Sequence, residues 1–329
     1  MSAHFFGVAT KTYEYSYTMG RREYVGAGFS WPMDFTRGPD GTIYVVSRSG
    51  EYRPDGLRIT MLTMEEDYVG SFGRYGHGNG QFVWPSSITH DKEGNVYISD
   101  EYLNRISIFN SKGEYLDHWG NSGSSDGEIN KPAGLAFDDH DNLYVSDSVN
   151  NRIQVFSKDG NFLAKWGTEG TGDGQFNLPW GVTVDHNGYV WVADWRNDRV
   201  QKFTSDGAFL ARFGTSGEWP GQFYRPTDVA VDKDGDFYIT DWGNNRVQAF
   251  TEDGRFITTF KGDADISKWG WDKLHANPDM IKQRALLRED EVQEERHFRH
   301  PTAVDVDDQQ RILILDCNRF RIQVYQKSS

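Results

Sequence analysis

Cysteine is almost absent, since Cys317 is the only one in 329 residues. A lone cysteine excludes an internal disulfide framework and suits a reducing compartment. Basic residues are in deficit: 35 Lys and Arg face 49 Asp and Glu, for a net charge of −14. The average field repels nucleic acid and anionic membrane, so RNA binding is unlikely unless there is a local basic face. No stretch approaches the roughly 18–20 apolar residues of a membrane span. The start, MSAHFFGVATKTYEYSY, has no basic region followed by a continuous apolar run. The expectation is a soluble, cytoplasmic protein with no membrane association. The nine histidines form no His-x-His pair; His297 and His300 are the one local pair, thin support for a transition-metal site.

Aromatics and glycine, by contrast, are plentiful, with 11 Trp, 16 Tyr and 35 Gly. That composition suits short strands joined by tight turns. Self-comparison gives a repeating unit: Pro, an alternating run, Asp-x-x-Gly, a second run, Asp-x4-Arg, a third run, Gly, and a fourth run. Its prolines are Pro32, Pro85, Pro132, Pro179, Pro226 and Pro301, spaced by 53, 47, 47, 47 and 75 residues. Four runs of ~5–6 residues make one propeller blade, so six prolines predict six blades in a single domain. The last unit ends after its third run. Tyr13–Thr18, lying before the first proline, is expected to supply the missing outer strand and close the ring.

The phrases SDSVNNRIQVFSKDGNFLAKWG and TDWGNNRVQAFTEDGRFITTFKG, with the connector GDGQFNLP, resemble the NHL-repeat family. The resemblance covers nearly all of the chain outside the first dozen residues and the 262–298 region. It implies a six-bladed β-propeller, and RNA-binding modules, interaction scaffolds and lyases all occur in the family. Its peptide-amidating lyases carry metal-ligand histidines just after the blade prolines. The matching positions here are Met33, Ser86, Ala133, Trp180, Thr227 and Thr302, without one histidine, so that chemistry does not carry over.

Repetition separates architecture from function. Asp100–Arg105, Asp147–Arg152, Asp194–Arg199, Asp241–Arg246 and Asp316–Arg321 share one spacing, and a catalytic pair is not needed five times. The glycines of GRYGHGNGQF recur as GTEGTGDGQF and do not open a helix, which excludes a phosphate-cradling loop. Function is therefore sought where the repeat breaks. Ser47–Arg58 lengthens the second turn of blade 1, and Gly262–Phe298 replaces the connector between blades 5 and 6. Both fall on the face bearing the Asp-x4-Arg turns, here termed the top. Asn277 and Pro278 are expected to start a helix with an apolar stripe through Met280, Ile281, Ala285 and Leu287. The insertion reads as a lid over the channel or a partner-docking element, with Trp269 and Trp271 facing a ligand.

Period-2 alternation directs the second and fourth residues after each proline into the central channel. Three of these break the small, neutral pattern: Asp34 and Asp228 in one layer, and Asp305 one step deeper. Converging carboxylates raise one another's pKa or hold a cation, so a divalent ion is one expectation there; three separately solvated acids are the other. Asp34, Asp228, Asp305 and His300 are the candidate catalytic residues. Trp31, Arg48, Trp84, Glu101, Tyr102, Trp180, Arg225 and Trp242 are expected to ring the mouth as a ligand surface. Trp195, Trp242 and other tryptophans have a structural alternative as stacking groups between blades. The functional expectation is a propeller that binds a small molecule, with lyase, hydrolase or isomerase chemistry as its enzymatic form. The alternative is a protein-interaction scaffold.

Overall fold

The computed structural model describes residues 11–49 and 54–328. Residues 50–53 of the blade 1 insertion lie outside that range. Each of the six prolines opens the innermost strand of a four-stranded antiparallel sheet, beginning with Pro32–Arg37 and ending with Pro301–Val306. Proline fits there because the first strand residue need not donate to the ladder. Six apolar clusters fill the six seams between neighbouring blades. Blade 4 shows the pattern, as Trp191, Ala193 and Val200 pack on Phe223, Val229 and Phe237 of blade 5.

The ring closes as the sequence predicts. Thr12–Met19 pairs antiparallel with Arg321–Ser328 and becomes the outer strand of blade 6. Its register runs from Thr12 opposite Ser328 to Met19 opposite Ile322, with one irregularity between Tyr15 and Tyr17. Tyr13 reaches blade 5, meeting Phe260 edge-on at 5.2 Å. An ionic knot reinforces this seam from below. The Lys327 ammonium, 4% exposed, lies 2.5, 2.9 and 2.8 Å from the carboxylates of Asp232, Asp234 and Asp236. Lys11 joins Asp236 at 2.5 Å. Burial pulls the Lys327 pKa down, but its three acids outweigh burial and hold it above the ordinary lysine value.

The Asp-x4-Arg turns tie each blade to the connector that leads into it. In blade 4, Arg199 bonds Asp194 at 2.8 Å and donates to the carbonyls of Thr171, Gly172 and Gln175. Asp194 also accepts the Asn177 N–H and the Asn197 amide. Asp147–Arg152, Asp241–Arg246 and Asp316–Arg321 form the same ion pair at 2.7–3.0 Å. Blade 2 departs from it. Asp100 accepts the Val83, Trp84, Tyr102 and Leu103 N–H groups. Arg105 still holds three connector carbonyls, but its Nε is left without a partner.

A second hook joins the blades along the top. Asn104, Asn151, Asp198 and Asn245 sit in the left-handed region, with φ of 49° to 55°. Their side-chain oxygens accept the N–H of the residue before the next blade's proline: Lys131, Leu178, Arg225 or His300, at 2.7–2.8 Å. The four donor residues are also left-handed, with φ of 52° to 58°. At the joint from blade 6 to blade 1 the hook is replaced by an edge contact of Phe320 on Trp31. At the joint from blade 1 to blade 2 it is missing, and Trp84 is not left-handed.

The Gly262–Phe298 insertion is three short helices, where the sequence showed one. They are α1 (Lys268–His275), α2 (Pro278–Arg284) and α3 (Glu289–Arg296). Asn277 caps α2 through the Asp279 N–H, with Pro278 in its first turn, as expected. The position is a correction to the sequence reading: no insertion residue lines the channel. Trp269, 5% exposed, belongs to the core seam between blades 6 and 1, edge-on to Phe29 and Tyr68. Ser267 donates to the Gly20 carbonyl, and Glu66 accepts the Gly20 and Trp269 N–H groups. The insertion is thus a clamp on the outside of the closure seam. Trp271 stacks on His275 on the outer side of α1, 46% exposed, and Met280 and Ile281 are exposed.

Candidate functional site

The innermost strands enclose a channel of about 320 Å³ along the ring axis. Asp34, Asp228 and Asp305 all line it, as alternation predicts. Their partners explain why acids stand there. Asp34 Oδ2 accepts the Ser87 hydroxyl at 2.6 Å and the Ile88 N–H of blade 2 at 3.0 Å. Its Oδ1 accepts the Phe35 N–H at 2.8 Å. Ser87 Oγ in turn accepts the Leu135 N–H of blade 3, and Asp228 Oδ2 accepts the Val304 N–H of blade 6. The second residue after the proline thus captures an amide of the next blade wherever it has an oxygen. Gly134 and Gly181 hold the same place in blades 3 and 4. A Cβ there would lie 2.4 Å from the Trp180 carbonyl and 2.5 Å from the Thr227 carbonyl, so only glycine fits.

Burial in the channel wall raises the Asp34 carboxyl to about 6, against the pull of its bonds to Ser87, Ile88 and Phe35. Burial and then the charge of Asp34 hold Asp228 well above the ordinary carboxyl range. Asp305 lies apart from this pair in its bonding. Its Oδ2 meets Arg37 Nε at 2.7 Å, and its Oδ1 accepts the Val306 N–H. Beside it, Thr36 Oγ1 and His90 Nδ1 are 3.0 Å apart, and burial lowers the His90 pKa. Among the described residues no three His, Cys, Asp or Glu groups meet as metal ligands. The divalent ion expected on the three acids finds no converging ligand set there, since Asp305 pairs with Arg37 apart from Asp34 and Asp228.

Above the acids, two rings of residues form the mouth: those following each blade proline, and those following each second strand. In blade 4, Trp180 and Trp195 lie 6.0 Å apart. Arg225 reaches over the Trp195 ring at 4.7 Å, with Tyr224 at 5.7 Å. In the next seam His300 stacks on Trp242 at 4.3 Å. The Asn318 amide NH₂ faces His300 Nδ1 at 2.6 Å, which makes Nδ1 the acceptor and leaves the proton on Nε2. Burial and the nearby Arg299 lower the His300 pKa, so the neutral ring presents a donor at the rim.

The other candidates divide. Arg48 bonds Glu101 at 2.6 Å, Ser86 Oγ at 3.2 Å and the Pro85 carbonyl at 3.1 Å, while Ser86 donates to Glu101. That closed network fastens blade 1 to blade 2 at the joint without a hook, so Arg48 and Glu101 are spent on the fold. Trp31 packs into the closure seam under Arg22. Trp84 and Tyr102 meet edge-on at 5.9 Å on the exposed rim of blade 2. Sequence reasoning missed Arg37 and His90 as channel residues. These last residues of their strands reach the lumen through long side chains, Arg37 to Asp305 and His90 to Thr36, which alternation alone does not show. Arg196, which approaches Trp195 to 5.6 Å, was also missed because an exposed turn arginine carries no pattern.

The SMP-30/gluconolactonase/LRE-like region matches residues 90–221, and the NHL repeat matches 223–250 and 298–325. No curated protein matches the chain in sequence. Among solved structures it is similar to a catalytically inactive virginiamycin B lyase from Staphylococcus aureus with quinupristin. That likeness has 17% identity and a TM-score of 0.56, covering 90% of this chain and 80% of the other. A streptogramin B lyase is similar at 11% identity and TM-score 0.57, over 97% and 98% of the two chains. A Bacteroides thetaiotaomicron protein of unknown function has 17% identity and TM-score 0.64, over 97% and 76%. At these identities the likeness is one of fold. No helix among the described residues is long and apolar enough to cross a membrane. The chain carries NHL repeats in its last two blades and folds as a six-bladed β-propeller closed by its N-terminal strand.

Proposed function

We propose that this propeller binds a small, polar, ring-bearing ligand at the top mouth of its channel, over blades 4 to 6. A break in the repeat carries the reading. After the proline the fold accepts Met33, Ser86, Ala133, Thr227 or Thr302, and after the second strand Arg48, Glu101, Ser148 or Cys317. Blades 4 and 5 place Trp180, Trp195 and Trp242 at these positions, with their rings partly open to solvent. The architecture does not require large rings there, whereas a ligand surface does.

In its enzymatic form the reading is a lyase or hydrolase working by proton transfer. Asp228, biased toward its protonated form by burial and by Asp34, is the channel carboxyl suited to give up a proton. His300 supplies a hydrogen-bond donor at the rim. The lyase structures support the scaffold, and the substrate is set by this chain's own residues. Thermal-shift screening of a metabolite panel against wild type and Trp180→Ala tests the reading. Hits should stabilise the wild type and lose their effect in the variant. Hits that shift both proteins equally would move binding away from the mouth and refute it.

A protein-interaction scaffold is favoured by a separate observation. Trp219 is 77% exposed on the connector between blades 4 and 5, and Tyr224 beside it is also exposed. A single protein that co-purifies and is lost in Trp219→Ala would support that reading over the first.

A further inference from the structure

The Trp195 ring has two guanidinium groups beside it, Arg225 at 4.7 Å and Arg196 at 5.6 Å. Neither makes an ion pair or a side-chain hydrogen bond among the described residues. Acids outnumber bases 49 to 35 in the chain, yet none of the described acids pairs with these two guanidinium groups. Arg199, one turn away, has a carboxylate and three carbonyls. Arg225 is half-buried with no counter-charge on it, and Arg196 is exposed to solvent. Its backbone is fixed by the left-handed φ of 58° and the N–H bond to Asp198 at 2.8 Å. A guanidinium laid over an aromatic face keeps its N–H edge free, and that fork matches carboxylate or phosphate oxygens.

We infer that the mouth takes an anion carried on a flat ring, an aryl phosphate or aryl carboxylate, held between Trp180, Trp195, Arg225 and Arg196. The inference rests on the mouth being the binding site, as proposed above. The ring lies against the two tryptophans, and the anion meets the two arginines. A single-stranded nucleic acid uses the same chemistry along a longer track. The net charge of −14 and the placement of these two arginines on one ring, rather than along a track, favour the small molecule.

The test uses the full chain, tryptophan fluorescence and titration calorimetry. Phenyl phosphate and benzoate are the probes, with benzyl alcohol, benzylamine and inorganic phosphate as neutral-ring, cationic-ring and ring-free controls. At least one aryl anion should bind about tenfold or more tighter than benzyl alcohol and inorganic phosphate. Arg225→Gln should remove that advantage, Arg225→Lys should keep part of it, and Trp180→Ala should weaken every ring ligand. Arg196→Gln, at an exposed residue, should reduce the advantage without a change in melting temperature, which separates binding from folding. Equal or tighter binding of benzylamine or benzyl alcohol, lost in Trp180→Ala, would overturn the ligand class and leave the mouth intact. Ring binding indifferent to Trp180→Ala, or no aryl-anion binding, would overturn the inference, and the former would overturn the mouth as well. Tighter, salt-dependent binding of oligouridylate lost in Arg225→Gln would replace the small molecule with RNA.

Discussion

Lys327→Met removes the one ammonium that holds three acids of blade 5 against the closing blade. The ammonium lies 2.5–2.9 Å from Asp232, Asp234 and Asp236, and it is nearly fully buried. Each such contact is worth about 6 kcal/mol of Coulomb attraction at an effective dielectric near 20, before desolvation is subtracted. Methionine keeps the length and flexibility of the chain, so the packing change is small. Lys11 still neutralises Asp236, but Asp232 is left buried with only the Tyr238 hydroxyl and turn amides. Removing one partner of a buried ionic cluster costs about 3–5 kcal/mol, and that is the expected loss at pH 7. Urea unfolding at several pH values measures it. The Lys327 hydrogen bond, before any other cause, holds the Asp234 carboxyl below its ordinary value of 3.8. A depressed carboxylate contributes stability above its unfolded pKa and loses it as pH falls through the folded one. The gap between wild type and variant should thus be full at neutral pH and narrow below about pH 4. A loss under about 1 kcal/mol at pH 7, the scale of an exposed pair, would refute the knot as a determinant of closure.

Asp228→Asn should keep the Val304 contact through its side-chain oxygen while removing a charge that strains against Asp34, so stability at pH 7 should be unchanged or higher, with proton-transfer activity lost and binding at the mouth kept. Because raised carboxyls bind protons in the native state first, wild-type stability should rise as pH falls from about 7 toward 5, and that rise should shrink in Asp228→Asn; calorimetric melting across pH checks both signs. Asp194→Asn should cost about 2–4 kcal/mol, since it leaves the buried Arg199 guanidinium without its counter-charge, and it should spare the site; denaturant midpoints decide. Removing residues 11–19 should lower the melting temperature by many degrees by stripping blade 6 of its outer strand, and an unchanged melt would mean that the ring closes another way.

The ring itself was legible because each blade repeats the same local instructions, and local instructions survive in a sequence. Pro226, the Asp241 turn and the alternating run between them say strand, turn, strand without reference to anything distant. The channel position of Asp34, Asp228 and Asp305 was equally readable from alternation. Their bonding was not, because the amides of Ile88 and Val304 belong to neighbouring blades and depend on how the blades are staggered. The insertion failed for a related reason. KWGWDKLH carries Gly270 within eight residues and has little helical signal of its own; docking of Trp269 into the closure seam decides its fold and place. The knot around Lys327 joins residues 95 apart in the chain, so no local pattern announces it.

The hooks along the top also divide the ring's joints into two kinds. Four consecutive joints share the same side-chain-to-amide fastening, and the two without it are those on either side of blade 1. Nearest-neighbour coupling in a repeat array is then uniform across blades 2 to 6 and discontinuous at blade 1. Blade 1 is tied instead by contacts of its own, the Arg48–Glu101–Ser86 network to blade 2 and the Trp269 clamp with Phe320 on Trp31 to blade 6, while the uniform hooks run along the arc of blades 2 to 6. Trp180, Trp195 and Trp242 all stand on that arc. Loss of a blade 1 fastening should therefore loosen the far side of the channel before it disturbs the aromatic mouth.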